Sequence, residues 1–284
     1  MTNRLKQYEV LKRASLFLQQ NKCESQVAEI LLRHFLQVSR AQFYANMQEV
    51  VAPEITERFW EAINRHVTTR IPVQHLTGYE YFYGRKFHVN EHVLIPRPET
   101  EQLVEHVINK VHKTPLSIVD LGTGSGVIAI TLALELKRAK VYATDISEEA
   151  LHVAKKNAHK HCADVRFMLG DFATPLIEKN IMTQIIVSNP PYIAYDEKDT
   201  LSQTVKYDPE LALFAANDGL AAYNKIIEQS KKIIAKNGIL AFEIGYQQGE
   251  AVQKLIKKSY PHSSVKVYQD INGHDRIVIA HINV

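Results

Sequence analysis

From Leu116 to its end, the chain alternates short β-branched runs with helical patterns, and this alternation limits the fold more than any other feature. Ser117–Leu121 reads as a strand, and Gly122-Thr123-Gly124-Ser125-Gly126 opens a helix that continues through Ile130 and Leu134. Val141–Asp145 is a second strand, and Ser147-Glu148-Glu149 starts the next helix. Val165–Leu169, Gln184–Ser188 and Gly238–Ile244 are the third, fourth and fifth, the last preceded by a helix holding Ile226, Ile227 and Ile233. Strands separated by helices need crossover connections, which build a doubly wound, mostly parallel sheet. Val265–Tyr268 and Arg276–Ala280 follow, joined across Asn272-Gly273 with no room for a crossover helix. They are expected as antiparallel neighbours, closing a seven-stranded α/β sheet.

Residues 1–75 have a different texture. Leu11, Ala14 and Leu18, then Val27, Ile30, Leu31 and Phe35, fall at helical spacing. Pro53 suits a first helical turn, and Phe59, Ile63 and Val67 extend that helix, while Trp60 reads as core or interface. A small helical bundle is expected, ended by Ile71-Pro72. Residues 76–98 carry Tyr79–Tyr83, Lys86–Val89 and Val93-Leu94-Ile95, broken by Gly84 and Asn90, and read as a hairpin or short strands linking two domains. Pro98 then starts a helix with Leu103, Val107 and Val111 on its apolar stripe, and residues 99–284 form the α/β domain.

Charge narrows the function classes. Of 34 Lys+Arg and 31 Asp+Glu, 10 and 7 lie in residues 1–75, leaving 24 and 24 for the remainder. The α/β part therefore shows no compositional sign of a basic nucleic-acid surface. Cys23 and Cys162 are distant in sequence, which fits a reducing, cytoplasmic setting. Histidines are scattered without metal-ligand spacing, so no metal is expected. No apolar run reaches about 18 residues, and the first ten residues carry Arg4, Lys6 and Glu9, so neither a membrane span nor a secretory leader is expected.

The chemistry concentrates at strand ends. The glycine loop Gly122–Gly126 lacks the Gly-Lys-Ser/Thr of a phosphate loop and has GxGxG spacing, not the GxGxxG of a dinucleotide site. Asp145 ends the second strand, 19 residues after Gly126, where a doubly wound fold places a carboxylate on ribose hydroxyls. A helix cap near Ser147 is the plainer alternative. Asp171 ends the third strand, and Phe172 suits an adenine face or the core. These ends describe a nucleoside site without a phosphate grip, and S-adenosylmethionine is the cofactor that fits. The fourth strand runs into Ser188-Asn189-Pro190-Pro191-Tyr192. Two prolines stop the ladder and stiffen the backbone beside an amide and an aromatic ring, a rigid cage for a planar group or a plain strand exit.

Together these stretches resemble the release-factor glutamine methyltransferases. The resemblance is carried by Pro72–Gly78, Leu94–Glu101, Asp120–Gly126 and Val187–Tyr192, and by Tyr207-Asp208-Pro209 with Leu211-Ala212-Leu213, where Asp208 replaces the usual Glu. It spans essentially the whole chain. It implies the methyltransferase sheet, a helical domain that binds the substrate protein, a monomer, and methylation of the glutamine amide in the GGQ motif of class 1 peptide release factors. It further implies that Gly122, Thr123, Gly124, Ser125, Gly126, Asp145, Asp171, Phe172 and Asn189 hold the cofactor. Asn189 and the Pro190 carbonyl would accept the amide hydrogens, Pro191 would fix the loop, and Tyr192 would pack on the planar amide. A nucleic-acid adenine methyltransferase would use the same cage on a flipped base, and needs a basic recognition surface that the balanced charge does not offer. A non-catalytic nucleoside-binding module is the third reading, and an intact cage speaks against it.

Overall fold

Hydrophobic periodicity becomes two cores in the computed structural model, which describes residues 5–111 and 116–283. The chain up to Gly78, with Ser202–Tyr207, forms one unit; Tyr79–Leu201 with Asp208–Val284 forms the other.

The first unit holds α1 (Gln7–Gln20), α2 (Gln26–Leu36), α3 (Arg40–Ala45), α4 (Pro53–Thr69) and α5 (Val73–Thr77). Residues four apart share a helix face, so Val10, Ala14 and Leu18 meet Val27, Leu31, Phe59 and Ile63 in one apolar core. Leu11 flanks that core and Trp60 packs against it, edge-on to Phe17 and Phe59 at 5.8 Å each. Ser39 caps α3 through a reciprocal pair with Gln42, and Pro53 occupies the first turn of α4. Helix α5 was not anticipated from sequence, because five residues are too few to show a period.

In the second unit, β1 (Tyr79–Phe82) and β2 (Arg85–His88) pair as an antiparallel hairpin. Tyr83 and Gly84 turn it at φ of 50° and 71°, the backbone that matches the strands' own twist. Val93-Leu94-Ile95 is not a strand, contrary to the sequence expectation. Val93 and Ile95 are buried, but the Ile95 N–H donates to Asp208 Oδ1 at 3.1 Å instead of to a ladder.

After α6 (Pro98–Lys110) come β3 (Ser117–Leu121), α7 (Val127–Glu135), β4 (Lys140–Asp145), α8 (Glu148–His161), β5 (Val165–Leu169), α9 (Thr174–Glu178) and β6 (Thr183–Ser188). The two-residue strands β7 (Ile193–Ala194) and β8 (Phe214–Ala215) pair in parallel around α10 (Glu210–Leu213). Then follow α11 (Ala221–Ser230), β9 (Ile234–Glu243), α12 (Gly249–Ser259), β10 (Ser264–Gln269) and β11 (Asp275–Ile282). Ile233, expected inside α11, lies beyond its end, because Ile233 N bonds to Ser230 O in a tight turn.

The seven-stranded sheet has the order β10-β11-β9-β6-β3-β4-β5. β11 runs antiparallel to both neighbours, and β9, β6, β3, β4 and β5 are mutually parallel. Side chains alternate between faces with period two. Ile118, Ile185, Val187, Ile239 and Ala241 therefore face Leu103, Val104, Val107 and Ile128 of α6 and α7. Val119, Ile186, Leu240 and Phe242 face Tyr223, Ile226, Val252 and Ile256 of α11 and α12. Burial on both faces explains why these strands read as continuous apolar runs. No helix among the described residues is long and apolar enough to cross a membrane.

Candidate active site

Parallel strands leave their carboxyl ends along one edge of the sheet, and there the second unit encloses a cavity of about 690 Å³. Its walls include Gly122, Thr123, Gly124, Ser125, Asp145, Asp171, Phe172, Asn189 and Pro191. Four strand ends thus meet on one space.

The glycine loop is shaped for close approach. Gly122 and Gly124 sit at φ of 75° and 54°, which disfavours side-chain-bearing residues, and a β-carbon on Gly124 would meet nothing within 4 Å. Backbone there borders open space. Gly126 is not on the wall: a β-carbon on it would come 2.8 Å from Ile130 Cδ1 and 3.1 Å from Ala154 Cβ, so it lets α7 and α8 pack closely.

Asp145 Oδ2 accepts from Gly124 N at 2.8 Å and Oδ1 from Ser147 N at 3.0 Å. Burial raises its pKa, opposed by these backbone bonds. Each oxygen keeps a lone pair beyond those bonds, which suits a vicinal diol. The cap of α8 is Ser147, whose Oγ accepts from Ala150 N at 3.0 Å, so Asp145 is left to line the cavity. Asp171 pairs with Lys225, and both line the same space. Phe172 lines the cavity and also packs on the sheet core. Glycine backbone in open space, a diol-type carboxylate and an adjacent aromatic ring fit an adenosyl-amino-acid cofactor.

Around Asn189 the sequence had shown only the loop itself. The half-buried Asn189 donates from Nδ2 to Thr100 Oγ1 at 3.3 Å, and Thr100 donates to Glu243 Oε2 at 2.6 Å. Glu243 ends β9, fully buried, and burial pushes its pKa up to about 7 against the Thr100 bond and the Arg276 charge. Pro190 is buried, and neither it nor Tyr192 is on the cavity wall. Tyr192 packs against the sheet core, and its carbonyl accepts from Gln248 Nε2 at 2.9 Å. Burial and then the Glu243 charge raise its hydroxyl well above the ordinary tyrosine range. Ser188 Oγ donates to Leu121 O at 2.5 Å, tying the end of β6 to that of β3.

Three more residues had no site role assigned from the sequence. Asp120 is buried, accepts from Thr123 Oγ1 at 2.6 Å and Ala129 N at 3.2 Å, and has its pKa raised to about 7 by burial. Its Oδ1 has no hydrogen-bond partner among the described residues. Asn157 bonds His88 N at 2.7 Å and O at 3.0 Å and donates to Ser125 O at 2.9 Å, clamping the hairpin to the glycine loop. Asp208 pairs with Arg97 at 2.8 Å, and Arg97 is on the cavity wall. Among the described residues no group of three or more His, Cys, Asp or Glu is placed to hold a metal.

A stability prediction follows from Glu243. Its folded pKa of about 7 exceeds the ordinary 4.5, so the native state holds the proton more tightly. The stability it contributes is full below pH 4.5 and is lost as pH rises through about 7. Denaturant unfolding should therefore show Glu243→Gln gaining on wild type by about 3 kcal/mol between those limits. A pH-independent difference would contradict the assignment.

The fold and cavity define a methyltransferase. Residues 98–206 match the methyltransferase small domain. A methyltransferase from Pyrococcus furiosus has a similar fold, with a TM-score of 0.54 at 15% identity over 82% of this chain and 100% of that one. Residues 9–78 match the PrmC N-terminal domain. The release factor glutamine methyltransferase of Bacillus cereus is 45% identical over 278 residues, covering 96% of this chain and 98% of its own. That of Bacillus subtilis is 43% identical over 282 residues, covering 97% and 98%. The chain belongs to the release factor glutamine methyltransferase family.

Proposed function

We propose that this protein methylates the side-chain amide nitrogen of the glutamine in the GGQ motif of class 1 peptide release factors, with S-adenosylmethionine as donor. The observation that carries this reading is the convergence of Gly122–Ser125, Asp145, Phe172 and Asn189 on one cavity. When bound, the cofactor supplies an electrophilic methyl on a sulfonium. In this reading the glycine-loop backbone holds its amino-acid end, Asp145 accepts its ribose hydroxyls, and Asp171 and Phe172 border its adenine.

An amide nitrogen is a weak nucleophile, because its lone pair is delocalised into the carbonyl. Asn189 Oδ1 and the Pro190 carbonyl accept the two amide hydrogens, which turns the lone pair toward the methyl and stabilises positive charge developing on nitrogen. Pro191 holds the backbone so that the two acceptors keep their spacing. In the same reading Tyr192 packs against the amide plane. The helical unit and the hairpin hold the release factor. Holding the nitrogen in line at near-attack distance supplies much of the acceleration. As nitrogen takes the methyl, S-adenosylhomocysteine would be the other product and one amide proton would pass by way of the Asn189 or Pro190 oxygen to solvent, which needs no strong base.

The test is methyl transfer from labelled cofactor to a release factor, to DNA and to RNA in parallel. Label confined to the release factor is expected. Label in nucleic acid instead would favour an adenine methyltransferase.

A further inference from the structure

The side-chain amide of Asn189 can present either its oxygen or its NH₂ to the cavity, since the two differ by a half-turn about one bond. Only the oxygen can accept a hydrogen from an incoming amide. Something must therefore choose between the two orientations, and the loop itself contains no such group.

The choice is made from two other elements. Thr100, in the first turn of α6, is buried and on the cavity wall. Its hydroxyl carries one hydrogen, directed at Glu243 Oε2 at 2.6 Å. Toward Asn189 the hydroxyl then offers only a lone pair, and Asn189 Nδ2 donates to it at 3.3 Å. Glu243, as a carboxylate, can only accept, so it fixes the direction of the whole chain from Asn189 through Thr100 to itself. A half-turn of the amide would set its carbonyl against the lone pair of Thr100 and leave both acceptors unpaired in a buried site, which disfavours that orientation. Tyr223 donates to the Glu243 backbone carbonyl at 3.0 Å, which anchors the end of the strand that carries the carboxylate.

We infer that Thr100 and Glu243 are positioning residues that hold the Asn189 amide with its oxygen toward the acceptor nitrogen. The inference rests on the reading of Asn189 as the acceptor of an amide hydrogen. Thr100→Val keeps the shape and removes the relay, Thr100→Ser keeps the relay, and Glu243→Gln lets the relay run either way. The assay is steady-state methylation of a release factor in mildly alkaline buffer, with cofactor Kd measured separately by equilibrium binding.

Thr100→Val is expected to lower kcat by roughly 10- to 100-fold, the scale of a misaligned hydrogen-bond partner. Cofactor Kd should stay within about twofold of wild type, and Thr100→Ser should recover kcat to within about threefold, because its hydroxyl restores the relay. In an Asn189→Ala background Thr100→Val should cost nothing further, because the two act as one unit. Wild-type kcat in Thr100→Val, or a Ser variant as slow as the Val variant, overturns the inference. Should Thr100→Val fail to fold, Glu243→Gln decides by the same kcat and Kd criteria. Full activity of Asn189→Ala would instead remove the underlying acceptor reading, so the two failures are separable.

Discussion

Replacing Asn189 with alanine is expected to lower methyl transfer about 10²- to 10³-fold while cofactor affinity largely survives, since one preorganised hydrogen-bond partner is lost from the transition state. The asymmetry follows from the cavity. The glycine loop after β3 and Asp145 at the end of β4 are untouched by the change, whereas Asn189 follows β6 beside Thr100. Truncation also ends the Asn189–Thr100 bond but leaves the Thr100–Glu243 bond in place, so the fold should tolerate it. Single-turnover rates and cofactor titration read the two effects apart. Full activity, or a loss explained by weaker cofactor binding alone, would contradict the role given to Asn189.

Alanine at Gly219 should be nearly as damaging to activity and far more so to stability. Gly219 has φ of 79°, and a β-carbon there would stand 2.0 Å from the Tyr192 carbonyl oxygen and 2.6 Å from Gln248 Nε2. The first of these is backbone and cannot swing aside. The Tyr192 carbonyl would have to move off its bond from Gln248, and the loop Asn189–Tyr192 would move with it. Overpacking and left-handed strain together predict a loss of about 2–4 kcal/mol. Gly273 provides the control, because it has the same φ of 79° with nothing within 4 Å of its β-carbon. Alanine there should cost only about 1 kcal/mol and leave kcat unchanged. Equal effects at the two glycines, read by denaturant unfolding, would show that backbone strain alone is at work and that the contact with Tyr192 is unimportant.

Much of this architecture was legible in the amino-acid order, and the reason is local periodicity. The central strands β6 and β9 carry apolar runs because both faces are covered, and glycine, aspartate or proline stands just at or beyond the ends of β3, β4 and β6 where the cavity begins. Strand ends in a doubly wound sheet converge by topology, so Gly122–Ser125, Asp145, Asp171, Phe172 and Asn189 could be grouped before any coordinates were known. What escaped depends on distant pairs. Thr100 lies 89 residues from Asn189, and 143 from Glu243, and no periodicity announces a bond across such spans. Asp120 reads as one more residue of a buried strand, although its unpartnered oxygen marks it as unusual. Ser202–Tyr207 joins the helical unit although 123 residues, Tyr79–Leu201, separate it from Gly78, with Tyr207 donating to the Thr69 carbonyl. Val93–Ile95 misled in the opposite sense, because burial mimics a strand's composition while Asp208 takes the backbone bond that a ladder would have used.

The rigid loop at the end of β6 is proposed to position a glutamine side-chain amide for methyl transfer. Fragmentation mass spectrometry of a release factor, incubated with this protein and S-adenosylmethionine, tests it most directly. The expected product carries the mass of one added methyl, in place of a hydrogen, on the side chain of the GGQ glutamine. A methyl on any other residue, or an unmodified release factor beside methylated nucleic acid, would contradict it.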